Sequence, residues 1–212
     1  MGTINKGILG GFSGKVGTVV GSNWKGIDYI RSKATKKSGN ASPAQLEQQV
    51  KFGLMMKFLR TFGSLFSITF RDFANGITGP NAALAYNIRN AIAGTYPAYS
   101  INYSLALLSR GNLQNAAGIS AVAGAAGKVH FTWTDNSGAG TAAATDHAIL
   151  LVYCTATGQS VYISNGAARN AASAILDVSA FSGKPVQTWV AFVTADGREV
   201  SDSQYTGEVT VA

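Results

Sequence analysis

Charge is what this sequence has least of. Asp, Glu, Lys and Arg make up 13% of its 212 residues, against about 25% in an ordinary soluble domain. Gly, Ala, Ser, Thr and Asn fill the gap. A monomer so thinly charged is poorly protected against association. The expectation is that identical neighbours cover much of the surface in a polymer, shell or obligate oligomer; a Ser/Thr/Asn-coated monomer is the alternative. Cysteine is nearly absent: the single Cys154 cannot form an intramolecular bridge, and within the apolar run Ile149 to Cys154 it reads as a small buried side chain. The two histidines, His130 and His147, lie at strand edges outside any H-x-E, HExxH or paired-cysteine pattern, so no metal site is expected. No apolar run of about 18 residues exists, which excludes a membrane-spanning helix. The first thirty residues hold no continuous apolar segment of the secretory type, because Lys6, Lys15 and repeated Gly interrupt it. Synthesis in the cytoplasm is expected, with a virion or an extracellular assembly as the final location if the chain assembles.

A catalytic constellation is missing as well. No G-x-S-x-G occurs, no two carboxylates pair in an evident cleft, and Asp135, Asp196 and Asp202 fall in turns, where Asp bonds to its own backbone. The glycine-rich start lacks the Gly-Lys-Ser/Thr ending of a phosphate loop and the spacing of a dinucleotide fingerprint. Catalytic residues, cofactors and enzyme activity are therefore not expected.

What charge there is sits unevenly. The chain carries +7 in all. Residues 1–80 hold eleven Lys/Arg against Asp28, Glu47 and Asp72, net +8. Residues 81–117 add Arg89 and Arg110, whereas 118–212 hold four Lys/Arg against seven acids, net −3. A basic start joined to a mildly acidic end suits an anionic partner or head-to-tail association of copies.

The first thirteen residues form a glycine-rich arm whose Ile4, Ile8, Leu9 and Phe12 are too apolar for a solvated tail, so it is expected to dock on its own body or a neighbouring copy. Val16 to Trp24 and Ile27 to Lys33 read as a hairpin turning at Lys25-Gly26. Strand alternation then puts Tyr29, Arg31 and Lys33 on one face and Asp28, Ile30 and Ser32 on the other. Lys36 and Lys37 follow in a basic loop. Ser42-Pro43 with Gln45 signals a helix start, and Leu46, Val50, Leu54, Phe58 and Phe62 recur every four residues up to a break at Gly63-Ser64. That stripe, widened by Met55, Leu59 and Phe66, reads as the core-facing side of an amphipathic helix, in a core that an oligomer would share with a second copy. A second helix follows Gly79-Pro80. Residues 99–108 alternate with period two, Ile101, Tyr103, Leu105 and Leu107 sharing a face, and the Ala/Gly-rich Asn115 to Gly127 reads as a domain border. From Lys128 onward the pattern is six or seven short strands with Trp133 early, as in an immunoglobulin sandwich.

The segments Gly14-Lys15-Val16-Gly17-Thr18-Val19-Val20-Gly21, Trp24-Lys25-Gly26, Tyr29-Ile30-Arg31-Ser32 and Ser42-Pro43-Ala44-Gln45 resemble a Bacteroidota family of unknown function, DUF6266. Its members share a G-x-V-G-x-V-V-G segment, a W-[KR]-G turn, an Arg-Ser pair, a T-P-A-Q helix start and a later strand motif met here from Tyr103 to Gly111. This chain departs with Ser42 for the usual Thr, and it lacks the Asn-Pro-Arg that often comes before. The resemblance implies a two-part architecture with a β-rich tail, and no activity, cofactor or site.

The expected fold is α+β. An N-terminal β-hairpin with amphipathic helices fills 1–117, and an immunoglobulin- or fibronectin-III-like β-sandwich fills 118–212. The leading functional expectation is a non-enzymatic, self-assembling structural protein, a subunit of a phage-like virion, tube or filament. Its contacts with copies of itself would come from Ile4, Ile8, Leu9, Phe12, Trp24, Phe58, Phe62 and Phe66. The alternative is a nucleic-acid or polyanion-binding module using Lys25, Tyr29, Arg31, Lys33, Lys36 and Lys37, which interleave cations with aromatics.

Overall fold

The computed structural model describes residues 2–3, 12–35 and 41–212. Its contacts separate Met1–Ser42 from Pro43–Ala212.

In the first unit, β1 (Gly2–Thr3), β2 (Gly14–Val16), β3 (Val19–Trp24) and β4 (Ile27–Ser32) form an antiparallel sheet in the order β1-β4-β3-β2. The sequence pattern runs unbroken from Val16 to Trp24, yet the chain reverses at Gly17, whose φ of 59° no β-branched residue tolerates, and brings Val16 back opposite Val19. The β3–β4 turn falls at Lys25-Gly26 as expected. Both residues are left-handed (φ 51° and 79°), as a type I′ turn requires.

The second unit begins with α1 (Pro43–Leu59), prolonged by a helical turn at Arg60–Phe62 and broken at Gly63-Ser64. α2 (Phe66–Thr69), a turn at Arg71–Phe73 and α3 (Gly79–Asn90) follow, and Thr78 caps α3 by accepting from the Asn81 N–H at 3.4 Å. A hairpin of β5 (Ile92–Thr95) and β6 (Ala98–Ile101) comes next. β6 is tied to α1 by Glu47, which accepts from Lys51 Nζ at 2.6 Å and from Tyr99 Oη at 2.5 Å. These bonds to its charged form, the one from Lys51 first, hold the Glu47 carboxyl below the usual range.

The period-two stretch after β6 is not a strand beyond Ile101, and Leu105 is exposed. At Leu107 and Leu108 its backbone is satisfied by side chains instead. Buried Asn87 accepts the Leu107 N–H at 2.9 Å and donates to the Leu107 carbonyl at 2.8 Å, as a neighbouring strand would, and Thr69 Oγ1 donates to the Leu108 carbonyl at 2.9 Å. The Ala/Gly-rich stretch expected as a border, by contrast, contains a strand. Seven strands make the rest: β7 (Ala117–Gly124), β8 (Lys128–Thr134), β9 (His147–Cys154), β10 (Gln159–Ile163), β11 (Ser173–Asp177), β12 (Pro185–Val193) and β13 (Gln204–Thr210). They build two antiparallel sheets, β11-β8-β7 and β10-β9-β12-β13, the three-plus-four order of an immunoglobulin-like sandwich.

The four-stranded sheet is buried on both faces. Leu150, Val152, Cys154, Val190 and Phe192 pack toward Val129, Phe131 and Trp133 of β8. Their alternating neighbours Ile149, Leu151, Tyr153, Trp189 and Ala191 pack against Met55, Phe58, Leu59, Phe62, Leu65 and Phe66 of the helical segment. Helices and sandwich therefore share one core. The structural border lies at Ser42/Pro43 rather than at the 117/118 expected from composition, because the helices have no core of their own.

The helical stripe needs the same correction. Residues spaced by four advance 400°, so each step drifts about 40° around a helix of 3.6 residues per turn. Met55, Phe58, Leu59 and Phe62 are buried, whereas Leu46 and Val50, further back along the drift, are 40% and 38% exposed. Phe58, Phe62 and Phe66, proposed from sequence as contacts between copies, are 1%, 0% and 0% exposed and belong to this chain's own interior.

One end of the sandwich is pinned by buried Arg169. Its Nε donates to Asp146 Oδ2 at 3.0 Å, its two Nη groups donate to Asn136 Oδ1 at 2.8 Å and the Gln114 carbonyl at 2.9 Å, and its guanidinium carbon lies 4.1 Å from the Phe192 ring centre. Trp133 Nε1 donates to the Arg169 carbonyl at 2.7 Å. Each nitrogen of the ion finds an acceptor and one of those acceptors is a carboxylate, which is what makes its burial tolerable.

In the shared core, Phe58 meets the rings of Tyr103, Tyr153 and Trp189 at 5.7, 4.8 and 6.1 Å. Burial, reinforced by Tyr153, Tyr205 and Glu208, pushes the Tyr103 hydroxyl up to about 12. A raised value favours the neutral phenol in the folded chain. Its contribution to stability is whole below the unfolded value near 10, and it is lost as pH climbs from about 10 to about 12. Urea midpoints are expected to fall across that window, and to fall less for Tyr103→Phe, which cannot ionise; Tyr153 and Tyr205, shifted the same way, keep part of the slope. An identical slope in the variant would exclude Tyr103 as its source.

Candidate functional site

Pairing register sorts the N-terminal sheet into two unlike faces. Lys15, Val20 and Arg31 lie side by side across β2, β3 and β4, Ser22 lies opposite Tyr29, and Trp24 opposite Ile27. Paired residues project to the same side, so one face carries Lys15, Arg31, Trp24 and Tyr29 together. Lys33, whose N–H donates to the Thr18 carbonyl at 2.8 Å, extends the ladder by one more pair on that side. Arg31, Lys33 and Lys15 are exposed, Trp24 is 49% exposed and Tyr29 is half-buried. Tyr29, Arg31 and Lys33 thus share a face as the alternation predicts, while Lys25 sits in the turn.

The opposite face carries Val16, Val19, Gly21, Asn23, Asp28, Ile30 and Ser32. Asp28 is the one acid of residues 1–42. It lies on the face opposite Lys15, Arg31 and Lys33, and the Asn23 amide donates to it at 2.8 Å. Phe12 covers Gly21: a Cβ there would lie 2.2 Å from the Phe12 carbonyl oxygen and 2.7 Å from its ring. Phe12 therefore docks on its own sheet, on the side away from Trp24. Ile4, Ile8, Leu9, Lys36 and Lys37 lie outside the described residues.

The sequence pattern missed Lys15, because its place beside Arg31 depends on the reversal at Gly17. It also missed the exposed apolar side chains: Val16 (64%) and Ile27 (58%) on the sheet, and Leu46, Val50, Phe52 and Met56 on α1. Seven Lys/Arg against Asp28 give residues 1–42 a net +6, and the remaining 170 residues share ten Lys/Arg and nine acids. The net positive charge thus lies almost wholly in residues 1–42.

Elsewhere the titratable groups are dispersed. Cys154 is buried, as its apolar run predicts. The His147 ring Nδ1 is 3.2 Å from the Gly166 carbonyl oxygen. Among the described residues no three His, Cys, Asp or Glu side chains come together as metal ligands, and no helix is long and apolar enough to cross a membrane.

A family model, described as a family of unknown function, DUF6266, matches residues 11–207. The chain belongs to DUF6266. Its glycine-rich signature segment is the β2–β3 reversal ending at the Phe12-covered Gly21, and its Trp-Lys-Gly segment is the I′ turn. No curated protein matches the chain. Among solved structures it is similar to the fn3 domain of the human collagen alpha-1(XX) chain, solved in solution. The likeness is 12% identical, covers 48% of this chain and 89% of that domain, and has a TM-score of 0.33. So loose a likeness carries no argument, and the sandwich rests on its own strand order.

The close approach at Gly21 makes a test of the DUF6266 sheet. Gly21→Val has no room under Phe12, so amide exchange in β2, β3 and β4 is expected to quicken while residues 43–212 keep their melting temperature. Unchanged exchange would show that Phe12 does not dock there.

Proposed function

We propose that this chain is a non-enzymatic binding protein that takes single-stranded nucleic acid on the Lys15/Trp24/Tyr29/Arg31 face of its N-terminal sheet. The observation that carries this reading is segregation. A net +6 is held by residues 1–42, the only acid there faces the other way, and two aromatic rings share the cationic face. Cations neutralise phosphates and release counterions, whereas rings stack on bases regardless of sequence. Lys36 and Lys37, next along the chain, add to the same charge.

A second reading, assembly of copies into a particle, tube or filament, is supported by the exposed Leu46, Val50, Phe52 and Met56 on a chain of low charge. It draws on α1 and not on Phe58, Phe62 or Phe66. Light scattering on the eluted protein at low and high salt separates the two: a nucleic-acid binder runs as a 22.0 kDa species without ligand at both salts, and an assembling subunit does not.

For the first reading, labelled oligothymidine is expected to bind with an affinity that falls steeply with salt. Replacing Lys15, Arg31 and Lys33 by Ala removes three phosphate contacts and flattens the log–log slope by about 2. Replacing Trp24 or Tyr29 by Ala weakens binding by about 1–3 kcal/mol at any one salt concentration. Absence of binding at low salt, or binding indifferent to all five residues, would overturn it. Equal binding of heparin, unaffected at Trp24 and Tyr29, would replace nucleic acid by polyanions in general.

A further inference from the structure

A surface cleft of about 480 Å³ opens beside α3 in the second unit, lined by Phe73, Ile77, Tyr86, Arg89, Asn90 and Arg110 among others. That volume lies within the roughly 300–1,000 Å³ of small-ligand sites. We propose that it binds a small organic anion, with a phosphate or carboxylate held by Arg110 and Arg89 and an apolar body lying against Phe73 and Tyr86.

The Arg110 main chain is anchored before any ligand arrives. Its backbone N–H donates to the Thr69 carbonyl at 3.0 Å. On one side Ser109 Oγ donates to the Ser201 carbonyl at 2.6 Å, and on the other the Gly111 N–H donates to Asp202 Oδ1 at 3.0 Å. The guanidinium carbon then lies 4.0 Å from the Phe73 ring centre and 5.0 Å from that of Tyr86. Stacking occupies the faces of the guanidinium and leaves its in-plane N–H groups to bond elsewhere.

Arg169 is the internal comparison. It too lies over a ring, yet its donors are taken up by Asp146, Asn136 and the Gln114 carbonyl. Among the described residues, the Arg110 guanidinium has neither a hydrogen-bond acceptor nor a carboxylate partner. The cleft lining contains no acid, and Arg89 adds a second cation from the last turn of α3. An aromatic-backed arginine on an anchored main chain, with unused donors, a second cation lining the same cleft and apolar walls, suits a planar or tetrahedral anion on an apolar body. Arginine pairs with such groups through two parallel N–H bonds.

The test is a titration of the isotope-labelled full-length protein with phenyl phosphate, inorganic phosphate and phenol, followed by NMR at the arginine Nε–H groups and at Tyr86. Phenyl phosphate is expected to give saturable shifts at Arg110 and Tyr86 and to bind tighter than inorganic phosphate, while phenol gives none. Arg89→Ala, at an exposed position, is expected to weaken phenyl phosphate about tenfold, and Arg110→Gln to abolish the shifts at Tyr86. Should Arg110→Gln fail to fold, Arg89→Ala decides alone. No saturable shift with either phosphate, or an affinity unchanged in Arg89→Ala, would overturn the proposal. Replacing Lys15, Arg31 and Lys33 leaves these shifts intact, so failure of the nucleic-acid reading and failure of this one are distinguishable.

Discussion

A ring of aromatic contacts around Phe58 joins the helices of this protein to its sandwich. Phe58 touches Phe62, Tyr103, Tyr153 and Trp189, and Trp189 in turn meets Tyr205 at 5.5 Å and donates through Nε1 to the Tyr103 carbonyl at 3.2 Å. Such pairs are worth about 0.5–1.5 kcal/mol each beyond the area they bury. Because β9 and β12 supply Tyr153 and Trp189 from the sheet's outer face, that sheet has an apolar layer on both sides. An ordinary sandwich leaves such a face to water. Here the helices occupy it, and neither layer buries its apolar surface without the other.

This arrangement bears on where the proposed binding sites lie. Residues 43–212 bury most of their aromatic side chains in two adjoining cores and come close to electrical neutrality. The excess charge is left to residues 1–42, whose small sheet has two unlike faces, one cationic and aromatic, the other covered by Phe12 at Gly21. Within the larger unit the exception is Arg110, a cation given aromatic support and, among the described residues, no side-chain acceptor. Both features follow from placement rather than from any catalytic grouping.

Much of the architecture was legible in the sequence. Ser42-Pro43, Gly79-Pro80 and Lys25-Gly26 mark their boundaries through φ restrictions and capping that act locally, and the alternation Val129, Phe131, Trp133 marks a half-buried strand. The continuous apolar runs of β9 and β12 held a further message, burial on both faces, that composition obscured by suggesting a border at Asn115 to Gly127. That stretch forms β7 because its small residues pair with β8, a non-local fact. The stripe from Leu46 to Phe62 misleads for a geometric reason, since a spacing of four drifts around the helix and only its later members reach the core. Segment 102–108 misleads for a chemical one: Asn87 supplies the partner that a strand would have had. Of the candidate surface, the Tyr29–Arg31–Lys33 face could be read from alternation alone. Lys15 could not, because a left-handed glycine decides its register.

The shared aromatic core is best tested by hydrogen exchange of the full-length protein through a denaturant series. Amides of α1 beyond Met55, of α3 and of β9 and β12 are expected to converge on a single opening free energy, because no helical core exists apart from the sheet. Release of α1 and α3 at a clearly lower free energy, with β9 and β12 still protected, would contradict the account and restore a border between helices and sandwich.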